Sequence, residues 1–330
     1  MNKELKQIDV TALGELLIDF TESGMSSQGN RMLEVNPGGA PCNVLSMLTK
    51  LGHSTAFIGK VGKDMFGDLL EDTLKEVGIG TEGLLRDDTV HTTLAFVHTK
   101  AGGDREFSFY RNPGADMMLT RADVNEELIH RARIFHFGTL SMTHEACREA
   151  TKAAIRTARE ADCLISFDPN LREPLWDSLE DARQQVDYGL RQCEILKISD
   201  NEIQWFTGET DFDRGLEKLQ AEYRISLILL SLGREGSRAV CGEADVFVPA
   251  VLNPATVETT GAGDTFGACV LHYVLDHCSG REDLSFTGDQ LREMLQFANA
   301  AASIITTRKG ALKVMPSRQE IEEVLAAAYL

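Results

Sequence analysis

Positive charge is scarce in this 330-residue chain: 33 Lys and Arg stand against 51 Asp and Glu, a net charge of −18. Such a surface repels phosphate backbones and anionic lipid over long range, so neither nucleic acid nor a membrane surface is an expected partner. Long hydrophobic runs are missing too. No stretch of about 18 uninterrupted apolar residues occurs, and MNKELKQIDV carries no apolar core of signal-peptide length, so a cytoplasmic location is expected. The seven cysteines are scattered from Cys42 to Cys278 with no C-x-x-C pair. That pattern makes neither a disulfide framework nor a zinc site, and plain buried thiols are expected. Pro/Ser linkers, low-complexity tracts and internal repeats are absent, so nothing marks a boundary between independent domains. Hydrophobic residues at 43% and charged residues at 25% are normal for a packed globular body. An anionic ligand would need a local device, such as a helix N-terminus or a few Arg, to overcome the overall charge.

What is present has a regular rhythm. β-prone apolar runs alternate with helical periodicity along residues 10–20, 40–51, 55–61 and 65–77, and again through 134–137, 145–161, 164–167, 182–193, 195–198 and 227–230. This is the grammar of an α/β fold, a mostly parallel central sheet flanked by helices on both faces. Two stretches break it. In 22–35 and 92–109 polar and apolar residues alternate around Gly24, Gly29, Gly102 and Gly103, which predicts short antiparallel strands outside the main sheet. They would form a small β-sheet lid, segments about 20–36 and 90–112, over the C-terminal strand edge where open α/β sheets bind ligands. Ordinary long hairpins are the alternative. Residues 264–276, 290–307 and 318–328 read as helices, and one catalytic domain over 1–330 carrying a lid is expected.

Three motif matches fail on context. Gly78, Gly80 and Gly83 satisfy G-x-G-x-x-G, but a helical pattern precedes them where a strand is required, so a helix C-cap and turn is expected. Gly24 and Gly29 have P-loop spacing, yet Asn30 stands where Lys is needed. His144-Glu145 begins like H-E-x-x-H, but Arg148 takes the place of the second histidine and a helix start is the better reading.

The run that survives is Val257-Glu258-Thr259-Thr260-Gly261-Ala262-Gly263-Asp264-Thr265-Phe266-Gly267-Ala268, a β-prone segment feeding an amphipathic helix. Small residues at Gly261, Ala262 and Gly263 let backbone N–H groups approach an anion while the helix N-terminus adds partial positive charge. Asp264 is placed to take a proton from a hydroxyl lying against those N–H groups. Its position should lower its pKa, which phosphoryl transfer tolerates because positioning and charge stabilisation carry most of the catalysis. An Asp that merely stabilises a helix start is the plain alternative.

This run resembles the D-T-T-G-A-G-D signature of the ribokinase-like (PfkB) carbohydrate kinases. Gly38-Gly39-Ala40-Pro41-Cys42-Asn43-Val44 and Gly59-Lys60-Val61-Gly62-Lys63-Asp64-Met65-Phe66-Gly67 are similar to the family's other signature, so the resemblance spans most of the chain. It implies a ribokinase-like fold, ATP and Mg²⁺ as cofactors and a small sugar as substrate, with Asp264 as base and Gly261, Ala262 and Gly263 as an anion hole. Glu258 stands where the family has an Asp that helps organise a monovalent-cation loop, so dependence on K⁺ stays open. The resemblance also implies that Gly38, Gly39, Asn43 and the Asp19 of Gly14-Glu15-Leu16-Leu17-Ile18-Asp19 hold sugar hydroxyls, for which a carboxylate and an amide are suited. Ser199-Asp200-Asn201-Glu202 is similar to an N-x-x-E element, which places Glu202 near Mg²⁺ through water; read without the family it is a helix-capping cluster. Leu230-Ser231-Leu232-Gly233-Arg234-Glu235-Gly236 looks like a nucleotide-side turn that brings Ser231, Gly233 and Gly236 to ATP, and Asn299 with the turn 307–311 looks like an adenine-side wall.

Within the family, residues 109–116 (FYRNPGAD), 135–141 (FHFGTLS) and 167–172 (FDPNLR) resemble fructokinases. Arg111 and Arg172 are expected to meet over the cleft and bind a sugar oxygen or the transferring phosphoryl group. The reading is an ATP-dependent kinase acting on the 6-hydroxyl of D-fructose. A 2-keto-3-deoxygluconate kinase, which would use Arg for a carboxylate, is the nearest alternative, and a silent sugar-binding sensor is the non-enzyme one. An apolar lid face that a second copy would cover suggests a homodimer.

Overall fold

The computed structural model describes residues 6–99 and 105–329. The chain opens with strand β1 (Ile8–Leu13), leaves the main sheet for β2 (Leu17–Met25) and β3 (Arg31–Gly38), and returns through helix α1 (Ala40–Lys50). Then come β4 (Thr55–Gly62), α2 (Met65–Val77), β5 (Gly80–Asp87), β6 (Leu94–Thr99), β7 (Arg105–Tyr110), α3 (Glu126–His130), β8 (Ala132–Gly138) and α4 (Glu145–Glu160). β9 (Leu164–Asp168), α5 (Leu179–Leu190), β10 (Ile195–Ser199), α6 (Asp200–Thr207), α7 (Phe212–Glu222) and β11 (Leu227–Ser231) continue the alternation. A hairpin of β12 (Gly236–Cys241) and β13 (Ala244–Pro249) precedes α8 (Ala262–His277), α9 (Gly288–Ile305) and α10 (Arg318–Tyr329).

The main sheet has nine strands in the order β13-β12-β11-β10-β9-β8-β1-β4-β5. From β11 to β5 the neighbours run parallel; β12 pairs antiparallel with both β11 and β13. The lid is a separate four-stranded sheet in the order β3-β2-β6-β7, so the two irregular stretches pair with each other rather than forming isolated hairpins. Gly102 and Gly103 lie outside the described residues.

Alternation along each strand splits the core in two. Val10, Ile134, Leu164, Ile195 and Leu227 face α1, α8 and α9, while Phe135, Phe137, Ile165, Phe167 and Leu196 face α4, α5 and α7. The stacked pair Phe137–Phe167, 4.7 Å between centroids, fills the second layer. Helix ends follow local chemistry. Asp64 caps α2 through bonds from the Phe66 and Gly67 amides, and Gly78 closes it in the left-handed region, as the failed dinucleotide motif requires. The rest of that motif starts β5. His144 is the N-cap of α4, and all seven cysteines are buried thiols.

Three expectations change. Residues 10–20 are two strands in two sheets, because the chain turns at Gly14-Glu15-Leu16 to enter the lid. Residues 257–260 are loop, not strand. Helix α8 is not amphipathic: Thr265, Phe266, Ala268, Cys269, Val270, Leu271, His272, Val274 and Leu275 are all buried, since α1 and α9 pack on either side of it. Among the described residues no helix is long and apolar enough to cross a membrane.

Candidate active site

On the face that meets α1 and α8, the strands change character toward their C-terminal ends. Ile134 gives way to His136, Leu164 to Ser166 and Asp168, Ile195 to Lys197, and Leu229 to Ser231. Polar side chains thus collect under the N-terminus of α8, at the edge the lid covers. Of these, Lys197 and Ser231 line a cavity of about 930 Å³, walled by Asp19, Thr21, Val97 and Phe109 of the lid, by Gly39 and Asn43, and by residues of the segment 256–264.

Gly261 is the N-cap of α8 and holds φ 74°, which turns the chain so that Gly263 and Asp264 enter the first helical turn facing the cavity. Ala262 does not share that exposure. Its amide donates to Thr259 O at 3.2 Å, whereas Gly261, Gly263 and Asp264 line the cavity. Asn43 Nδ2 donates to Asp264 Oδ2 at 2.7 Å, and Asn43 Oδ1 is buried with no hydrogen-bond partner. Burial raises the pKa of Asp264, opposed by the Asn43 bond and by the charges of Lys197 and Arg172. The helix-terminus argument therefore has the wrong sign here: desolvation outweighs it, which makes the group a stronger base than an ordinary Asp.

The glycine pair before α1 is sterically imposed. A Cβ on Gly38 would stand 2.6 Å from Asp19 Oδ2, and one on Gly39, at φ 126°, would stand 2.5 Å from Glu15 O. Only glycine lets β3 end so close to β2, which sets Asp19 and Asn43 around one space. Glu15 Oε1 accepts from the Ala40 amide at 2.8 Å, and burial pushes its carboxyl from 4.5 up to about 7. The folded state therefore holds a proton there that the unfolded chain releases above pH 4.5, and stability falls as pH rises to about 7. The cost at pH 8 is about 3 kcal/mol. Glu15→Gln is expected to melt higher than wild type at pH 8 and to lose that advantage toward pH 5; parallel pH profiles for the two proteins would refute it.

Glu202 bears out the capping reading of its segment and also stands on the cavity wall. Its Oε2 accepts from Ser199 N and Oγ in a capping box at the start of α6, and its Oε1 accepts from Leu171 N at 2.8 Å. Lys197, which motif reading did not single out, lines the cavity, and its Nζ lies 3.0 Å from Oδ2 of the buried Asp168. Burial raises Asp168 to about 6, with Lys197 opposing and Glu202 and Asp264 adding to it. Burial would lower Lys197, yet Asp168, Glu202 and Asp264 hold its pKa above the ordinary value. His136, bonded through Nδ1 to Ser166 Oγ at 3.0 Å, is pushed down to about 4 by burial and by Lys197 and is neutral. One signal was available: a lone Lys inside the buried run Ile195–Ser199.

Other expected contacts are not on this wall. Arg111 is buried, its guanidinium 2.7 Å from Asp116 and bonded to Thr143 Oγ1 and Leu140 O, so it does not meet Arg172, which does line the cavity. A buried guanidinium needs a carboxylate, and Asp116 supplies it. Asn299 Nδ2 donates to Val248 O and Pro249 O and its Oδ1 accepts from Ser237, which ties α9 to the β12–β13 hairpin. Gly233 and Gly236 sit in the turn into β12 and at its first residue; of that segment only Ser231 lines the cavity, with Lys309 opposite. Glu258 Oε1 accepts from the Gly310 amide at 2.9 Å and joins the loop to the turn at 308–311. A second cluster, His53, His272 and Asp276, stands close enough to share a cation. Its ring nitrogens are spent on each other at 2.6 Å and Arg318 lies 2.8 Å from His272, so it reads as a structural relay near the start of β1.

A carboxylate base beside a helix-terminal anion hole, under a β lid on a mostly parallel sheet, defines a phosphotransferase acting on a small hydroxyl compound. The sequence profile of the pfkB family carbohydrate kinases matches residues 7–318. "Fructokinase-2" of Oryza sativa subsp. japonica is 41% identical over 97% of this chain and 94% of its own, and "Probable fructokinase-2" of Arabidopsis thaliana 41% identical over 93% of each. A Xylella fastidiosa fructokinase with bound ATP superposes with a TM-score of 0.88 at 30% identity, covering 97% of this chain and 98% of that one. A Vibrio cholerae fructokinase bound to fructose, ADP and potassium reaches 0.86 at 27% identity, over 97% and 99%. The chain belongs to the pfkB family of carbohydrate kinases.

Proposed function

We propose that the protein is an ATP-dependent fructokinase, one catalytic domain with a lid, that transfers the γ-phosphoryl group to the 6-hydroxyl of D-fructose. The observation that carries the chemistry is the Asn43–Asp264 bond beside the anion hole. A sugar hydroxyl held beside Asn43 would lie next to the carboxylate that would take its proton, while the Gly263 and Asp264 amides would face the phosphoryl oxygens. Asp19 and the backbone at Gly38 and Gly39 would hold the remaining sugar hydroxyls.

Glu202, which lines the same cavity as Asp264, is a hard oxygen donor that fits a divalent cation held through water, and Mg²⁺ is the proposed ion. When bound it would neutralise the nucleotide phosphates. Ser231 and Lys309 would meet the nucleotide on the opposite wall. With Arg111 committed to Asp116, Arg172 is the arginine left for a substrate carboxylate, and Asp19 and Glu15 oppose one, which favours a neutral ketose over a keto-deoxy acid. The exposed lid residues Met25, Met32, Leu33 and Val35 would be covered by a second copy; a one-chain mass in sedimentation would remove the dimer.

Coupled ADP release with Mg-ATP against fructose, ribose, tagatose and 2-keto-3-deoxygluconate tests the activity. Fructose is expected to give the highest kcat/KM. Faster turnover of the keto acid would replace the substrate, and sugar binding without ADP release would replace the enzyme by a sensor.

A further inference from the structure

Lys197 carries a full charge in the interior of a strand whose other members are apolar or small. Burying an ammonium is costly unless it is paired, and a purely structural pair needs one carboxylate and a closed environment. Neither condition describes this site. The Lys197 ammonium is open to the cavity and feels three carboxylates, Asp168, Glu202 and Asp264. Its hydrogen-bond partner is Asp168, with Oδ1 at 3.2 Å and Oδ2 at 3.0 Å, both on one side. An ammonium has three N–H donors, so at least one is left for the cavity. On the other side lies the anion hole: a Cβ placed on Gly263 would stand 3.2 Å from Nζ. The charge is therefore next to the backbone amides that face the transferring group, and a side chain at 263 would separate the two.

We propose that Lys197 is a catalytic residue, an ammonium that donates a hydrogen bond to a non-bridging oxygen of the γ-phosphoryl group during transfer, and that Asp168 is its positioning residue. This rests on the kinase reading above. In the step, the sugar oxygen forms a bond to the γ-phosphorus as its proton passes to Asp264, and the bond from that phosphorus to the β,γ-bridging oxygen breaks, its electron pair leaving with ADP. Lys197 keeps its protons throughout. Its role is electrostatic: charge on the equatorial oxygens meets a fixed cation in a site shielded from water, and no protein group has to reorient to supply it.

Lys197→Met tests this. Turnover is expected to fall ~10²–10³-fold while KM for the sugar changes less than about threefold. Because Lys197 lowers the pKa of Asp264, its loss should also move the acid limb of the kcat profile to higher pH, a shift that a packing defect would not produce. Lys197→Arg, which keeps the charge, is expected to recover part of the loss. The double variant Lys197→Met/Asp168→Asn removes both buried charges and keeps the comparison valid should the single variant fold poorly. If the pair is only structural, the double variant regains wild-type turnover, and the proposal is overturned; if Lys197 is catalytic, it stays as slow as the single one. Turnover of Lys197→Met within threefold of wild type would overturn it as well. Wild type on fructose is the control. Should wild type phosphorylate another sugar instead, the fructose reading fails alone, and the variants are compared on that sugar.

Discussion

Replacing Asp264 by Asn is expected to reduce kcat by at least ~10²-fold while leaving sugar affinity within about threefold, because the substitution removes a proton acceptor and little else. The amide is nearly isosteric with the carboxylate and keeps a polar atom toward Asn43, so the first turn of α8 should hold its shape. A 10²-fold loss corresponds to about 2.7 kcal/mol of transition-state stabilisation, within what a positioned base supplies. Burial has already raised the carboxyl, so wild-type turnover should decline with acidification from a higher pH than an exposed Asp would give. Steady-state kinetics with titration calorimetry for sugar binding separates the two quantities. Turnover of the Asn variant near the wild-type rate would take the base role away from Asp264.

The second large effect is expected from Gly261→Ala, at the N-cap of α8. Its φ of 74° costs a side-chain residue about 1–2 kcal/mol, and the new Cβ would stand 2.6 Å from Ala311 Cβ. Relief of that contact must rotate the turn, which moves the Gly263 and Asp264 amides away from the phosphoryl position. Misplaced donors lose most of their value, so a fall of ~10²-fold in kcat is expected together with the stability loss. Urea unfolding and initial rates measure both. A variant that is destabilised yet turns over normally would show that these amides do not serve as the anion hole.

The parts of the fold that were legible are those governed by local rules. Helix α2 spans residues 65–77 as its periodicity requires, and the lid strands follow polar–apolar alternation. What escaped depends on distant partners. The strands β5 and β13 are partly exposed and carry mixed patterns, so their identity as sheet members comes from neighbours rather than from their own residues. Arg111 was readable as a cationic residue near a lid, but its commitment to Asp116 is a matter of burial that no spacing reveals. Asn299 shows the same limit, its amide consumed by a hairpin about 50 residues away. At the site, Gly261, Gly263 and Asp264 were visible as a turn feeding a helix. Lys197 was passed over, although one cation inside the buried strand Ile195–Ser199 already signals a compensating negative group.

Asn43 and Asp264 touch across 221 positions of sequence. On the proposed assignment, the residues that would hold the sugar emerge during translation long before the segment that would activate its hydroxyl, so a chain ending ahead of α8 would carry half a site. Competence to consume nucleotide would arrive only when the closing helices dock.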